Sequence, residues 1–256
     1  MGTLWKLSPN PKSSVIKKRG FIMSFRNLQA MLLLFLFPAA AHAENVTGRV
    51  VFSGTAPAAQ MINMKADPEC TKLHSKAVPD EEQTVNANGT LKNVFVYVKQ
   101  GLEGKTFDAP KEPVVLTQEG CLYTPRVFGL RVGQPLELVN NDATLHNIRA
   151  SAKEQKEFNV GMPLQGMKVK KQFSKPEVMV PFKCDVHPWM RAYAGVVPHP
   201  FFGVTDNQGN FTLADLPPGE YVIEAWHEKL GTQTLSVTLK EGETPAPLEF
   251  TFSSAA

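Results

Sequence analysis

The sequence predicts an all-β fold, and three observations carry that prediction. Short runs rich in Val, Phe, Tyr and Thr alternate apolar and polar positions, the period of two that a half-buried strand requires. Gly, Pro, Asn and Asp break these runs at short intervals, as tight turns do. No segment beyond the leader sustains a long 3.6-residue apolar period, so no core-forming helix is expected.

The elements follow in order. A first strand is predicted over residues 46–52, closed by Ser53-Gly54. Residues 93–98, Asn-Val-Phe-Val-Tyr-Val, alternate strongly, and residues 113–116 form a short strand. A strand ends near Val132, turns at Gly133-Gln134-Pro135 and resumes over 136–139. Residues 151–158 fit either a short helix or an irregular excursion. Strands are expected over 177–182 and 192–197, flanking the loop that begins at Cys184. Residues 204–213 form a hairpin around Asp206-Asn207-Gln208-Gly209, and a Pro217-Pro218-Gly219 turn opens a strand reaching Ala225. Strands over 235–239 and 248–252 complete the series. Repeated strands at this spacing make a sandwich or barrel. The last fifty residues hold too few strands for a sandwich of their own, and residues 46–54 are a source of the missing one.

The first 43 residues read as a leader. An apolar run from Ala30 to Ala41 follows Arg26, and Ala41-His42-Ala43 is a small-x-small cleavage motif. This is the pattern of a secretory signal peptide, too short for a membrane span. Met23 is an alternative start that gives a signal of ordinary length. Cleavage before Glu44 removes six basic residues and no acidic one, so a formal charge of +3 becomes 21 basic against 24 acidic, or −3. The basic balance belongs to the leader, and no clustered basic face argues for nucleic acid. The expected location is periplasmic or secreted, with no transmembrane span after cleavage. No nucleophile–base triad, paired-carboxylate site or phosphate-binding Gly loop is evident.

Three cysteines, Cys70, Cys121 and Cys184, remain in that oxidising setting. Three cannot all pair within one chain. A Cys70–Cys121 disulfide with Cys184 held as a metal thiolate is the simplest solution; the alternative pairs Cys184 and frees another thiol.

The loop Cys184-Asp185-Val186-His187-Pro188-Trp189-Met190 brings a thiolate, an imidazole and a thioether into seven residues. Two imidazoles, one thiolate and a weak axial thioether suit copper in either oxidation state, whereas zinc, the competing metal, rarely recruits a thioether. His146 is the candidate fourth ligand. The expected set is therefore His146, Cys184, His187 and Met190 around one copper ion per chain. Met162 is an alternative axial ligand. Pro188 stiffens the loop by removing a backbone donor. Met162, Pro163 and Trp189, with Pro188, are expected to form an apolar rim around an exposed edge of His187. His199, His227 and Glu228 are weighed as a second metal site.

Residues 123–197 resemble a cupredoxin. The resemblance rests on the strand pair ending in Val139-Asn140-Asn141, on Leu145-His146-Asn147-Ile148, and on the Cys-x2-His-x2-Met loop with Pro after its His. That spacing is similar to the amicyanin type. It implies a Greek-key β-sandwich, single-electron transfer without enzymatic turnover, and a redox protein as donor or acceptor. It also implies that Asn147 ties the ligand strands together beside the thiolate. Residues 203–238 resemble a carboxypeptidase regulatory-like domain, a small transthyretin-type β-sandwich, through Asp206-x-x-Gly209-x-Phe211 and Leu216-Pro217-Pro218-Gly219-x-Tyr221. That second resemblance implies a carbohydrate or protein ligand. The organisation expected is a signal peptide over 1–43, N-terminal strands over 44–112, a cupredoxin domain over 113–198 and a regulatory-like domain over 199–256. The copper-binding part is either inserted into the regulatory-like sandwich or simply precedes it. An alternative function is a copper carrier or sensor.

Overall fold

The structure, a computed structural model, describes residues 43–254. The predicted leader up to His42 lies outside the described residues. Among them, no helix is long and apolar enough to cross a membrane.

The fold is all-β. Strand β1 (Glu44–Ser53) buries Val46, Gly48, Val50 and Phe52, while Thr47 and Arg49 between them are exposed and Val51 is half-buried, a period of two. A five-residue helix, α1 (Pro68–Lys72), follows. Strand β2 (Phe95–Gln100) buries four consecutive residues, Phe95 to Val98, so both its faces are covered. Strands β3 (Val114–Glu119), β4 (Leu122–Thr124), β5 (Val127–Arg131) and β6 (Pro135–Asn140) come next. They lead to β7 (His146–Ala150), β8 (Phe158–Met162) and β9 (Lys168–Gln172). Strands β10 (Glu177–Lys183) and β11 (Arg191–Val197) flank the cysteine loop. The chain ends with β12 (Phe202–Val204), β13 (Asn210–Leu216), β14 (Gly219–His227), β15 (Gly231–Leu239) and β16 (Leu248–Ser253).

These strands make four sheets, ordered β13-β1-β16, β12-β2-β14-β15, β5-β11-β10-β7-β8 and β4-β3-β6-β9. The first strand pairs with late ones: β1 runs antiparallel to β13 and parallel to β16. Val46, Val50 and Phe52 of β1 share a core with Val96 and Val98 of β2, Ile223 of β14 and Phe250 and Phe252 of β16. A second core joins Leu116, Leu136 and Leu138 to Ile148, Phe182, Ala192 and Ala194, and reaches Cys184 and Met190. A third cluster lies on the other face of β2. There Phe95 and Tyr97 meet Val127, Met179 and Val197.

This third contact depends on absent side chains. A Cβ on Gly195 would lie 2.2 Å from the Phe95 ring, and one on Gly129 would lie 2.3 Å from Phe202. The rings occupy the space that two strand glycines leave. Phe95 is fully buried and has no room to retreat. Gly195→Ala is therefore expected to cost about 1–3 kcal/mol through overpacking. A denaturation midpoint unchanged from wild type would contradict that.

Residues 151–157 contain no helix and run as bends before β8, which decides between the two readings of that segment. Helix α1 and strands β4, β7, β8 and β9 are additions to the elements predicted by residue range.

Candidate metal centre

Three strands and one loop position the donors. His146 opens β7, and Cys184 follows the last residue of β10, which pairs with β7 through Phe182–Ala150 and Lys183–Arg149. Strand β8 sets Met162 opposite His146. The turn before His146 is fixed by Asn140, whose side chain donates to Met162 O at 2.8 Å and Thr144 O at 3.1 Å. The Asn140 oxygen accepts from the Asp142 amide at 3.0 Å.

The cysteine loop closes on itself. The Cys184 amide donates to Met190 O at 3.3 Å, the Met190 amide to His187 O at 3.0 Å, and the His187 amide to Cys184 Sγ at 3.4 Å. Asn147 ties it to the neighbouring strand: its Oδ1 accepts from the Asp185 amide at 2.7 Å and lies 3.4 Å from Cys184 Sγ. Its Nδ2 donates to Asp185 at 2.9 Å.

The donor atoms converge. His146 Nδ1 lies 2.9 Å from His187 Nδ1, and Cys184 Sγ lies 3.8 Å from the same His187 nitrogen. Side-chain donors of all three residues fall within 4.8 Å of one another, and all three residues are buried. Bonds of about 2.0 Å to nitrogen and about 2.3 Å to sulfur put trigonal donors about 3–4 Å apart, so this triad has the right size for one metal ion. Its donor set of two imidazoles and a thiolate is the one that a soft-to-borderline redox metal prefers. Met190, 1% exposed, packs in the same core beneath the loop.

The outward nitrogens are occupied by carboxylates. His146 Nε2 pairs with Asp142 Oδ2 at 2.8 Å, while Asp142 also accepts from the Gly120 and Cys121 amides at 2.7 and 2.8 Å. His187 Nε2 pairs with Asp67 Oδ2 at 2.9 Å and lies 3.4 Å from Cys70 Sγ. Cys70 and Cys121 form a disulfide, and Cys184 is a free, buried thiol. The disulfide sulfurs also sit within donor range of His187, but they carry no thiolate to offer a metal.

The fields inside this pocket favour a thiolate. Burial pushes the Cys184 thiol up, but hydrogen bonds from His146 and from the amides of Asn147, His187 and Val186 outweigh it and bring its pKa down to about 7. Burial likewise opposes charge on His146, yet Asp142 and Cys184 raise it to about 9. The signs give a window. The lowered thiol pKa contributes stability present above 9 and lost as pH falls through about 7. The raised imidazole pKa contributes stability present below 6.5 and lost as pH rises through about 9. In metal-free protein, thiolate absorbance near 240 nm should therefore rise with a midpoint near 7. A midpoint at the ordinary thiol value contradicts the hydrogen-bond account.

Other expected residues fall elsewhere. His187 is only 1% exposed, so it has no open edge to be rimmed. Met162 is fully buried, and its sulfur accepts from Gln118 Nε2 at 3.0 Å. Pro163 and Pro188 are exposed. Trp189 is half-buried, donates to Cys121 O at 3.0 Å and sets its ring 5.1 Å from the His187 ring. The rim expectation is corrected accordingly: the helix α1 segment occupies the space where that edge would open.

The second metal site is corrected too. Among the described residues, His199, His227 and Glu228 do not form a metal-sized group. His199 Nε2 donates to Val98 O at 2.8 Å. His227 Nδ1 accepts from the Lys229 and Leu230 amides at 3.1 and 3.3 Å. Glu228 holds Arg126 at 2.6 Å. Burial lowers both histidines to about 4, as expected of neutral core groups.

Asp67, Asp142 and helix α1 belong to the site and were not expected. Asp67-Pro68-Glu69 carries a helix-start signal, an N-cap followed by Pro at the first position and an acid in the first turn. Its contact to a residue 120 positions away has no sequence signal.

No protein-family model and no curated protein matches this chain. Solved structures similar to part of it are cupredoxins. A copper-containing nitrite reductase (NirK) from Thermus scotoductus SA-01 is 21% identical, with a TM-score of 0.32 over 38% of this chain and 25% of the reductase. This chain thus spans about a quarter of that enzyme's length. A purple cupredoxin from Nitrosopumilus maritimus is 22% identical, with a TM-score of 0.27 over 32% of this chain and 97% of its own. An oxidised amicyanin variant is 15% identical, with a TM-score of 0.30 over 40% of this chain and 97% of its own.

Proposed function

We propose that this chain is a type 1 copper protein that carries single electrons outside the cytoplasm. The observation that carries the reading is the convergence of His146 Nδ1, His187 Nδ1 and Cys184 Sγ in a buried pocket. Copper held there supplies a one-electron Cu(II)/Cu(I) couple. His146 and His187 would hold the ion as neutral imidazoles, Cys184 as the strong thiolate donor and Met190 as a weak thioether donor. Asn147 holds the loop against β7, which keeps the donors from moving between oxidation states. Burial of all four side chains supports an electron carrier over an oxidase.

The secretory leader and the periplasmic or secreted location belong to the same reading. So does a nested organisation, in which the copper-binding sandwich is inserted into a regulatory-like one. The pairing of β1 with β13 and β16 supports it, because the first strand then belongs with the last ones. A redox protein is the partner of the copper part, and a carbohydrate or protein the ligand of the other.

The test is a cyclic voltammogram of the purified full chain loaded with Cu(II). A reversible one-electron wave with copper retained over many cycles is expected. Copper released at each reduction assigns the protein as a carrier instead.

A further inference from the structure

We propose that Asp67 is a positioning residue for the copper centre, holding His187 as its Nε2–H tautomer and favouring the oxidised metal. The inference rests on the copper reading above and deepens it.

A carboxylate only accepts hydrogen bonds, so the neutral imidazole beside Asp67 Oδ2 must carry its proton on Nε2. The lone pair is then on Nδ1, the nitrogen that faces His146 and Cys184. The tautomer that can ligate is thus selected from outside the donor set. A histidine ligand whose far N–H meets a carboxylate is also a stronger donor.

The carboxylate is itself held. Asp67 is the N-cap of α1, and its Oδ1 accepts from the Glu69 and Cys70 amides at 2.8 and 3.2 Å. Oδ2 is left for His187. The helix is fastened at its third residue by the Cys70–Cys121 bond, and Cys70 is fully buried. Thr71 Oγ1 donates to Met64 O at 3.0 Å and locks the approach to the helix. Two amide bonds therefore fix the carboxylate, on a short helix that the disulfide and the Thr71 bond hold in place. Asp142 does the same for His146, so both imidazoles are backed by an anion. Two carboxylates beside the centre add negative charge, which stabilises Cu(II) more than Cu(I).

The experiment compares wild type with Asp67→Asn, Asp67→Glu and, as a control on the exposed side of the same helix, Lys72→Ala. Each is loaded with Cu(II), and its reduction potential and electron paramagnetic resonance spectrum are measured. Asp67→Asn should keep the narrow parallel hyperfine splitting while its Cu(II)-over-Cu(I) preference falls about tenfold. For a one-electron couple that is a rise of about 59 mV. Asp67→Glu should restore most of the wild-type value, and Lys72→Ala should leave it unchanged. An Asn variant with an unaltered potential overturns the proposal.

A second arm needs no metal. Nitrogen-15 spectra of the copper-free protein should show His187 with its proton on Nε2 in wild type and a tautomer mixture in Asp67→Ala. A proton on Nδ1 in wild type overturns the role of Asp67. If wild type binds copper without a narrow hyperfine splitting, the copper reading fails by itself, and the nitrogen-15 result still decides the role of Asp67.

Discussion

Replacing Cys184 with Ser is expected to remove the intense visible absorption of the Cu(II)-loaded protein altogether. That absorption requires a thiolate donating to the metal, and Cys184 is the free thiol among the described cysteines. Retention of Cu(I) should fall by more than the about 10–100-fold that loss of an outer partner costs. The fold itself should survive. The site is 3% exposed, and a serine hydroxyl there finds the same Asn147 oxygen that lies 3.4 Å from the sulfur. A blue Cys184→Ser protein contradicts the ligand assignment, and spectrophotometric copper titration of both proteins reads it.

Removing the disulfide has the largest expected effect on stability. Cys70 and Cys121 are 51 residues apart, and closing such a loop in the unfolded chain is worth about 4 kcal/mol by chain-entropy bookkeeping. Both sulfurs are buried, so Cys70→Ser with Cys121→Ser also leaves two hydroxyls in an apolar core. The double variant should unfold at a clearly lower denaturant midpoint. It should also bind copper less tightly, because α1 loses the bond that fastens it over His187. A double variant with wild-type midpoint and wild-type copper affinity would show that α1 is held by its other contacts alone.

Much of the fold is legible because alternation is a local signal. β1, β2, β10, β11 and β16 each alternate or bury a short apolar run, and Gly and Pro mark their ends. β9 is not legible in that way. Its sequence Lys-Val-Lys-Lys-Gln leaves three of its five residues exposed, and its place is set by pairing with β6 at a sheet edge. Helix α1 is too short to display a period, and only its capping residues announce it.

The convergence of His146, Cys184 and His187 was legible from residue type, order and spacing, and Met190 is buried in the adjoining core. The residues that act on the donors were not. Asp142 sits four positions before His146 but reads as an ordinary turn acid, and Asp67 reaches His187 only through the tertiary fold. His199 and His227 show the reverse error. Residue type marked them as ligands, whereas burial with backbone partners makes them neutral core groups. The exposed edge of His187 failed for the same physical reason as Asp67: a segment distant in sequence covers it.

The most direct test of the central claim is the electron paramagnetic resonance spectrum of the wild-type protein loaded with one equivalent of Cu(II). A thiolate and two imidazoles around the metal predict a small parallel hyperfine splitting, with a spectrum that changes in Cys184→Ser. A wide splitting typical of tetragonal nitrogen and oxygen ligation, unaffected by that substitution, would contradict it.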